Sequence, residues 1–124
     1  QSGGMAAKDD LGRAGEQRAE MHLRSQGYRI LDRNWRSHSG EIDIVAARDG
    51  DLVIVEVKTR RGEWFGHPFA AVHARKRDRL WRLGAAWVVA HPDAARGRRL
   101  RLDVIGITGP DPESAVVEHL EDLR

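Results

Sequence analysis

Two stretches near the middle of the chain read with a period of two, apolar residues on one side and the charged ones gathered on the other. In residues 41–47, Ile42, Ile44 and Ala46 fall on one side, and Glu41, Asp43, Val45 and Ala47 on the other. In residues 52–59, Val53, Val55, Val57 and Thr59 oppose Leu52, Ile54, Glu56 and Lys58. A period of two is that of a half-buried strand. Between them lies Arg48-Asp49-Gly50-Asp51, and Asp-Gly suits a two-residue type I′ turn whose central residues both need φ > 0. The pattern therefore predicts one hairpin, with Arg48 facing Asp51, Asp43 facing Glu56 and Glu41 facing Lys58.

Elsewhere the period lengthens. Residues 9–26 read as a helix that stops at Gly27, with Gly12, Glu16, Ala19 and Leu23 on one stripe. A second helix is predicted from about Val72 or Ala74 to Ala90, with Lys76, Leu80, Leu83 and Trp87 facing inward and Arg75, Arg77, Arg79 and Arg82 clustered along it. Tyr28–Trp35 and Leu100–Ile107 read as strands. In the first, Tyr28 and Ile30 take one face and Leu31 and Trp35 the other. Residues 114–120 are read as a last strand in preference to a short helix. The predicted order is α-β-β-β-α-β-β, with a polar loop at 60–68 carrying Trp64, Phe65 and His67.

The hairpin carries the candidate chemistry. Directly opposed residues on antiparallel strands have Cβ atoms roughly 5 Å apart, and like charges so placed repel. A divalent cation between Asp43 and Glu56 removes that repulsion, and Mg²⁺ characteristically binds through one or two carboxylates plus substrate phosphate oxygens. The ligands would be Asp43, Glu56 and the Val57 carbonyl. Lys58, two residues past the second carboxylate, is placed to act on a water or phosphate beside such an ion. Glu16 is a carboxylate in an otherwise small or apolar stripe, and Lys76 could reach the same place from the start of the second helix. A plainer reading makes Glu41 and Lys58 an exposed cross-strand ion pair and Glu16 a solvated or arginine-paired residue. The aromatic residues of the 60–68 loop could stack on bases or cover the core edge.

Composition adds little. The chain has 124 residues and a net charge of +2, and eighteen of its 21 basic residues are arginine, whose guanidinium forks suit phosphates. It has no cysteine, hence no disulfide or thiolate zinc site, and its six histidines lack ligand spacing. Neither a phosphate-binding glycine loop nor a nucleophilic serine elbow is present. No apolar run approaches the ~20 residues of a membrane span, and a cytoplasmic location is expected. Gln1-Ser2-Gly3-Gly4 ahead of Met5 looks like an expression-vector remnant, leaving residues 5–124 as one domain.

These residues together resemble the PD-(D/E)xK nuclease superfamily, with Asp43 as the first acidic position and Glu56-Val57-Lys58 as the E-x-K. More narrowly, the chain is similar to the YraN-type uncharacterised family of bacteria. That likeness rests on Gly15-Glu16, Arg33-Asn34-Trp35-Arg36, Gly40-Glu41-Ile42-Asp43, Val55-Glu56-Val57-Lys58-Thr59-Arg60, Phe65-Gly66, Lys76 and Leu102-Asp103-Val104. It implies an α/β, restriction endonuclease-like fold, also similar to archaeal Holliday junction resolvases, with a central mixed five-stranded sheet flanked by helices. It implies a Mg²⁺- or Mn²⁺-dependent endonuclease but supplies no substrate; structured DNA, branched forms among it, is the expectation, with junction, flap, nick, duplex and RNA left open. In that reading Asp43 and Glu56 hold the metal, and Lys58 orients or deprotonates the attacking water. Glu16 serves a second metal or a bridging water, and Glu41 holds Lys58 from behind. Arg60, Arg61, Arg75 and Arg79 would contact phosphates, and symmetric cutting of two strands would need a homodimer. The rival expectations are a nucleic-acid-binding module of the same fold without cleavage, and a scaffold whose acidic face docks a basic partner.

Overall fold

A computed structural model describes residues 3–62 and 73–123. Its elements in chain order are α1 (Gly3–Ser25), β1 (Arg29–Ser37), β2 (Gly40–Arg48), β3 (Asp51–Arg60), α2 (Ala74–Ala90), a short α3 (Pro92–Ala95), β4 (Arg99–Thr108), a 3₁₀ turn (Pro112–Ser114) and β5 (Val116–Leu120). The strands lie side by side in the order β1-β2-β3-β4-β5. The β3–β4 pair is parallel and the other three are antiparallel. This is an α/β fold of restriction endonuclease-like type. α2 lies in the crossover that a parallel pair requires.

Each face of the sheet buries one helix. On one face, Leu80, Leu83 and Trp87 of α2 pack with Val45, Leu52, Ile54, Leu102 and Val104. On the other, Ala19 and Leu23 of α1 pack with Ile44, Ala46, Val53, Val55, Ile105 and Ile107. Two glycines set the approach distances. A Cβ on Gly15 would sit 2.0 Å from the Thr59 hydroxyl, and one on Gly84 would sit 2.9 Å from the Ile54 side chain. α1 ends as the sequence indicates, at Gly27 with φ of 88°. It begins earlier than the periodicity suggests, at Gly3, so residues set aside as a remnant continue the helix. α3, unpredicted, follows directly from the turn at His91-Pro92, with Pro92 in its first turn.

The hairpin register is the predicted one from Ile44↔Val55 to Arg48↔Asp51. Its turn is not the predicted type I′, since Asp49 has φ of 51° but Gly50 is not among the glycines with positive φ. A second correction concerns the alternation of β2. Ile42 and Ile44 were expected on one face, yet Ile42 packs with Val45 in the α2-side core and Ile44 in the α1-side core. The cause lies next door in β1, where Asn34 has φ of 49°. Arg33 and Asn34 consequently both reach α1, at Glu20 and Glu16. The Cα pairing skips Asn34 and Asp43 between Arg33↔Ile44 and Trp35↔Ile42, and the register itself shifts further along, between Ile30 and Asp32.

Candidate active site

At the end of the hairpin away from its turn, β2 and β3 part. Their paired register stops at Ile44↔Val55, before Asp43 and Glu56. Instead of a backbone carbonyl, the Asp43 carboxylate accepts from the Val57 N–H, at 2.8 Å. Direct cross-strand pairing of Asp43 with Glu56 is thus replaced by a gap that a side chain bridges. A cleft of about 550 Å³ opens there, lined by Glu16, Asp43, Glu56, Val57, Lys58 and Arg60 together with Leu11, Gly12 and Thr59.

Glu56 and Lys58 follow the regular alternation of β3 onto the α2 side. The first residues of α2 complete this side of the site. His73 caps the helix by accepting from the Lys76 N–H through Nδ1, which places Lys76 in the first turn. The Nζ atoms of Lys58 and Lys76 each lie 3.0 Å from the same oxygen of Glu56, Oε2. Glu56 is 8% exposed, so the clamp is largely removed from water. From the α1 side, Glu16 accepts from the Asn34 carboxamide at 3.1 Å rather than from an arginine.

The electrostatics are unbalanced. Burial and the neighbouring Glu56 push the Asp43 carboxyl up to about 7, with Glu16 and Glu41 adding to the effect, although the Val57 N–H opposes it. Burial and the adjoining Lys58 lower Lys76. Lys58 is also penalised by burial but stays above its ordinary value through Lys76 and Glu56. Two ammonium groups therefore compete for one carboxylate while a second carboxylate nearby resists ionising.

This donor set suits a hard divalent cation. Asp43, Glu56 and the Val57 carbonyl offer oxygen only, and a dication would relieve the mutual repulsion that raises Asp43. Among the described residues no three His, Asp or Glu side chains form a ready cage.

The remaining expected residues are placed unevenly. Glu41 does not reach Lys58, because β2 has already left β3; it lies 3.5 Å from Arg36 across β1. Arg60 lines the cleft, Arg61 follows it exposed, and Arg75 and Arg79 are exposed on α2 either side of Lys76. Trp64, Phe65, Gly66 and His67 lie outside the described residues. Sequence reading missed two features. One is Asn34, whose presence inside a strand was the available signal, since asparagine is depleted in strands and enriched at positive φ. The other is a buried network on β4. Asp103, with no exposure, accepts from Arg101 at 2.8 and 3.0 Å and from the Asp122 N–H at 2.9 Å, and meets His119 at 2.7 Å.

Residues 15–107 match the uncharacterised protein family UPF0102. The chain belongs to this family. It is 50% identical over 119 residues to a UPF0102 protein of Arthrobacter sp. (strain FB24), covering 96% of this chain and 99% of the other. A UPF0102 protein of Streptomyces coelicolor is 49% identical over 117 residues, covering 93% and 88%. One of Frankia alni is 47% identical over 116 residues, covering 94% and 95%. The YraN-type membership expected from the motifs is thereby met. The matched segment holds Glu16, Asp43, Glu56, Lys58 and Lys76, so the whole candidate site falls within the family's shared portion. Among the described residues no helix is long and apolar enough to cross a membrane.

Proposed function

We propose that this UPF0102 protein is a metal-dependent endonuclease that hydrolyses phosphodiester bonds in structured, branched DNA. The observation that carries this is the cleft lined by Asp43, Glu56 and Lys58, where Lys76 also reaches Glu56 and the charges stay unresolved. A protein seeking stability alone gains nothing from a buried carboxylate held near neutral pH beside another.

When bound, Mg²⁺ or Mn²⁺ would polarise the scissile phosphate and make an attacking water more acidic. Asp43, Glu56 and the Val57 carbonyl would hold it. The Val57 N–H fixes the orientation of the Asp43 carboxylate. Because Glu56 is held by two ammonium groups, one can turn to the water or the developing phosphorane charge while the other keeps the carboxylate neutralised. Lys58, on the same strand as Glu56, is assigned to the water and phosphate, and Lys76 to holding Glu56. Glu16 faces the opposite side of the cleft and would position a second ion or a water. Arg60, Arg61, Arg75 and Arg79 would carry the flanking phosphates, which makes binding fall steeply with salt.

The test is cleavage of branched, flapped, single-stranded and paired DNA with Mg²⁺, with Mn²⁺ and with EDTA. Metal-dependent cutting lost in Glu56→Gln supports the proposal. The two-lysine clamp on Glu56 is also what a non-cleaving nucleic-acid binder would keep, since it neutralises the carboxylate without metal. Salt-sensitive DNA binding with no cutting of any substrate, and no calorimetric response to either metal, would favour that reading.

A further inference from the structure

A second cavity, of about 450 Å³, lies between α1 and the parts of β1 and β2 around Asn34 and Asp43. It shares Glu16 and Asp43 with the catalytic cleft, so the two spaces adjoin at the carboxylates. Its lining is mixed. Met21 supplies apolar surface, 64% exposed, a large apolar side chain left in water at the cavity wall, and the buried Ile44 forms the floor. Gln17 and Asn34 supply carboxamides, each with a donor and an acceptor end. The end away from the cleft is tied by Glu20, which accepts from Arg24 at 3.0 and 3.2 Å and from Arg33 at 2.7 and 2.8 Å. These ion pairs hold Glu20 well below the usual carboxylate range, at about 2, through Arg33 first and against partial desolvation.

We propose that this cavity takes an unstacked nucleobase of the strand being cut, so that the enzyme selects DNA with a nucleotide free of the duplex. The inference rests on the nuclease reading for the word "cut", but the base pocket stands on its own geometry. A nucleobase has apolar faces and an edge of donors and acceptors. Met21 and Ile44 meet the former, and the two carboxamides meet the latter. Arg13, Arg24 and Arg33 also line the cavity, but Asp10 pairs with the first and Glu20 with the other two, so a bare phosphate would have to displace those carboxylates and would leave Met21 unused; a purely apolar ligand would strip water from Gln17 and Asn34 without replacing it. The volume falls in the range of small-molecule sites. A base seated here places its own sugar-phosphate toward Glu16 and Asp43, where the cleft begins. A paired base cannot enter, because its recognition edge is occupied by its complement. Asn34 adopts a left-handed conformation inside a strand, one that asparagine tolerates, and its carboxamide lines the cavity while donating to Glu16.

The experiment titrates metal-free protein in EDTA with deoxyadenosine monophosphate, and with deoxyribose 5-phosphate as a baseless control, following the Met21 methyl and the Asn34 side-chain amide by NMR. Both signals should move saturably with the nucleotide and not with the control. Gln17 is exposed on a helix, so Gln17→Trp folds and fills the cavity; it should abolish the response. Asn34→Gly keeps the positive φ, removes the carboxamide and should weaken binding about fivefold. In parallel, a duplex with one unpaired adenosine should be cut faster than its fully paired counterpart, and Gln17→Trp should erase the difference. Nucleotide binding at Met21 and Asn34 without any cleavage upholds the pocket and overturns the nuclease reading. Cleavage with Met21 and Asn34 silent, or equal movement with the baseless control, overturns the pocket alone.

Discussion

Two groups of buried charges sit on this one sheet, and they are opposite in character. On β4, Asp103 is fully buried yet every contact favours its ionised form. Burial alone would raise it, but His119, Arg101 and the Asp122 N–H outweigh that and hold it below its ordinary value. Arg101 in turn reaches Asp51 at 2.8 Å and the Tyr28 hydroxyl, and His119 meets His22 at 3.1 Å. This network ties α1, β3, β4 and β5 together. At the β2–β3 gap, Asp43 is pushed up to about 7, and Glu56 is shared by two lysines that cannot both be content. A charge buried for the fold is surrounded by groups that satisfy it. At the β2–β3 gap the neighbours instead oppose one another, and under the proposed function a cation would settle them.

The comparison is most sharply broken at Asp103. Asp103→Ala should destabilise the protein by about 3 kcal/mol in urea unfolding, because it takes one of two close carboxylates from buried Arg101 and strips His119 and the Asp122 N–H of their shared acceptor. A loss below about 1 kcal/mol would remove Asp103 from the structural side of the contrast. Next comes Lys58→Ala, expected to lower cleavage about 100-fold, or about 2.7 kcal/mol, while metal binding by calorimetry persists. Equal loss of metal and activity would mean that Lys58 serves the carboxylates instead of the water. Gly15→Ala should cost about 1–3 kcal/mol, since its methyl would overlap the Thr59 hydroxyl and push α1, with Glu16, off the cleft. Addition of Thr59→Ala should recover much of it; no recovery would mean that the contact is not what sets the helix position.

The smallest effect has the most telling sign. Asp43→Asn should stabilise the metal-free protein by ~0.5 kcal/mol above neutral pH by ending the repulsion with Glu56. The pH dependence follows from the direction of each shift. For Asp43 the folded protein holds its proton more tightly than the unfolded chain, so its contribution is full below about pH 4 and is lost as pH rises through about 7. Asp103 behaves the other way: its contribution is present above its unfolded value, near 4, and is lost as pH falls toward its depressed folded value. Thermal melts in EDTA from pH 4 to 8 should therefore show a downward slope that Asp43→Asn flattens and Mg²⁺ reverses. A lower melting temperature for Asp43→Asn without metal would place Asp43 with Asp103 among the structural carboxylates.

Periodicity located the seven main elements, and the stripes of α1 and α2 named the buried residues Ala19, Leu23, Leu80, Leu83 and Trp87 correctly. It also placed Lys76 at the head of the α2 stripe, where its contact with Glu56 is found. It failed at Asp43 because strict alternation assumes an unbroken strand, and a single residue of positive φ at Asn34 re-aims its neighbours. Asp-Gly correctly located the hairpin turn without determining its type, since the flanking register can be kept by more than one pair of central dihedrals.

What the sequence determined by itself was the set of local preferences: which segments are strand or helix, where they end, and which side chains each offers to a face. These depend on backbone propensity and on spacing along the chain. Only the tertiary structure decided which offers are met. It turned Glu41 to Arg36, gave Asp43 to the Val57 N–H, set two lysines on one oxygen of Glu56 and wrapped Arg101 and His119 around Asp103. The physical reason is that the fate of a charge depends on desolvation and on partners within a few ångströms, and most of those partners come from elements distant in sequence.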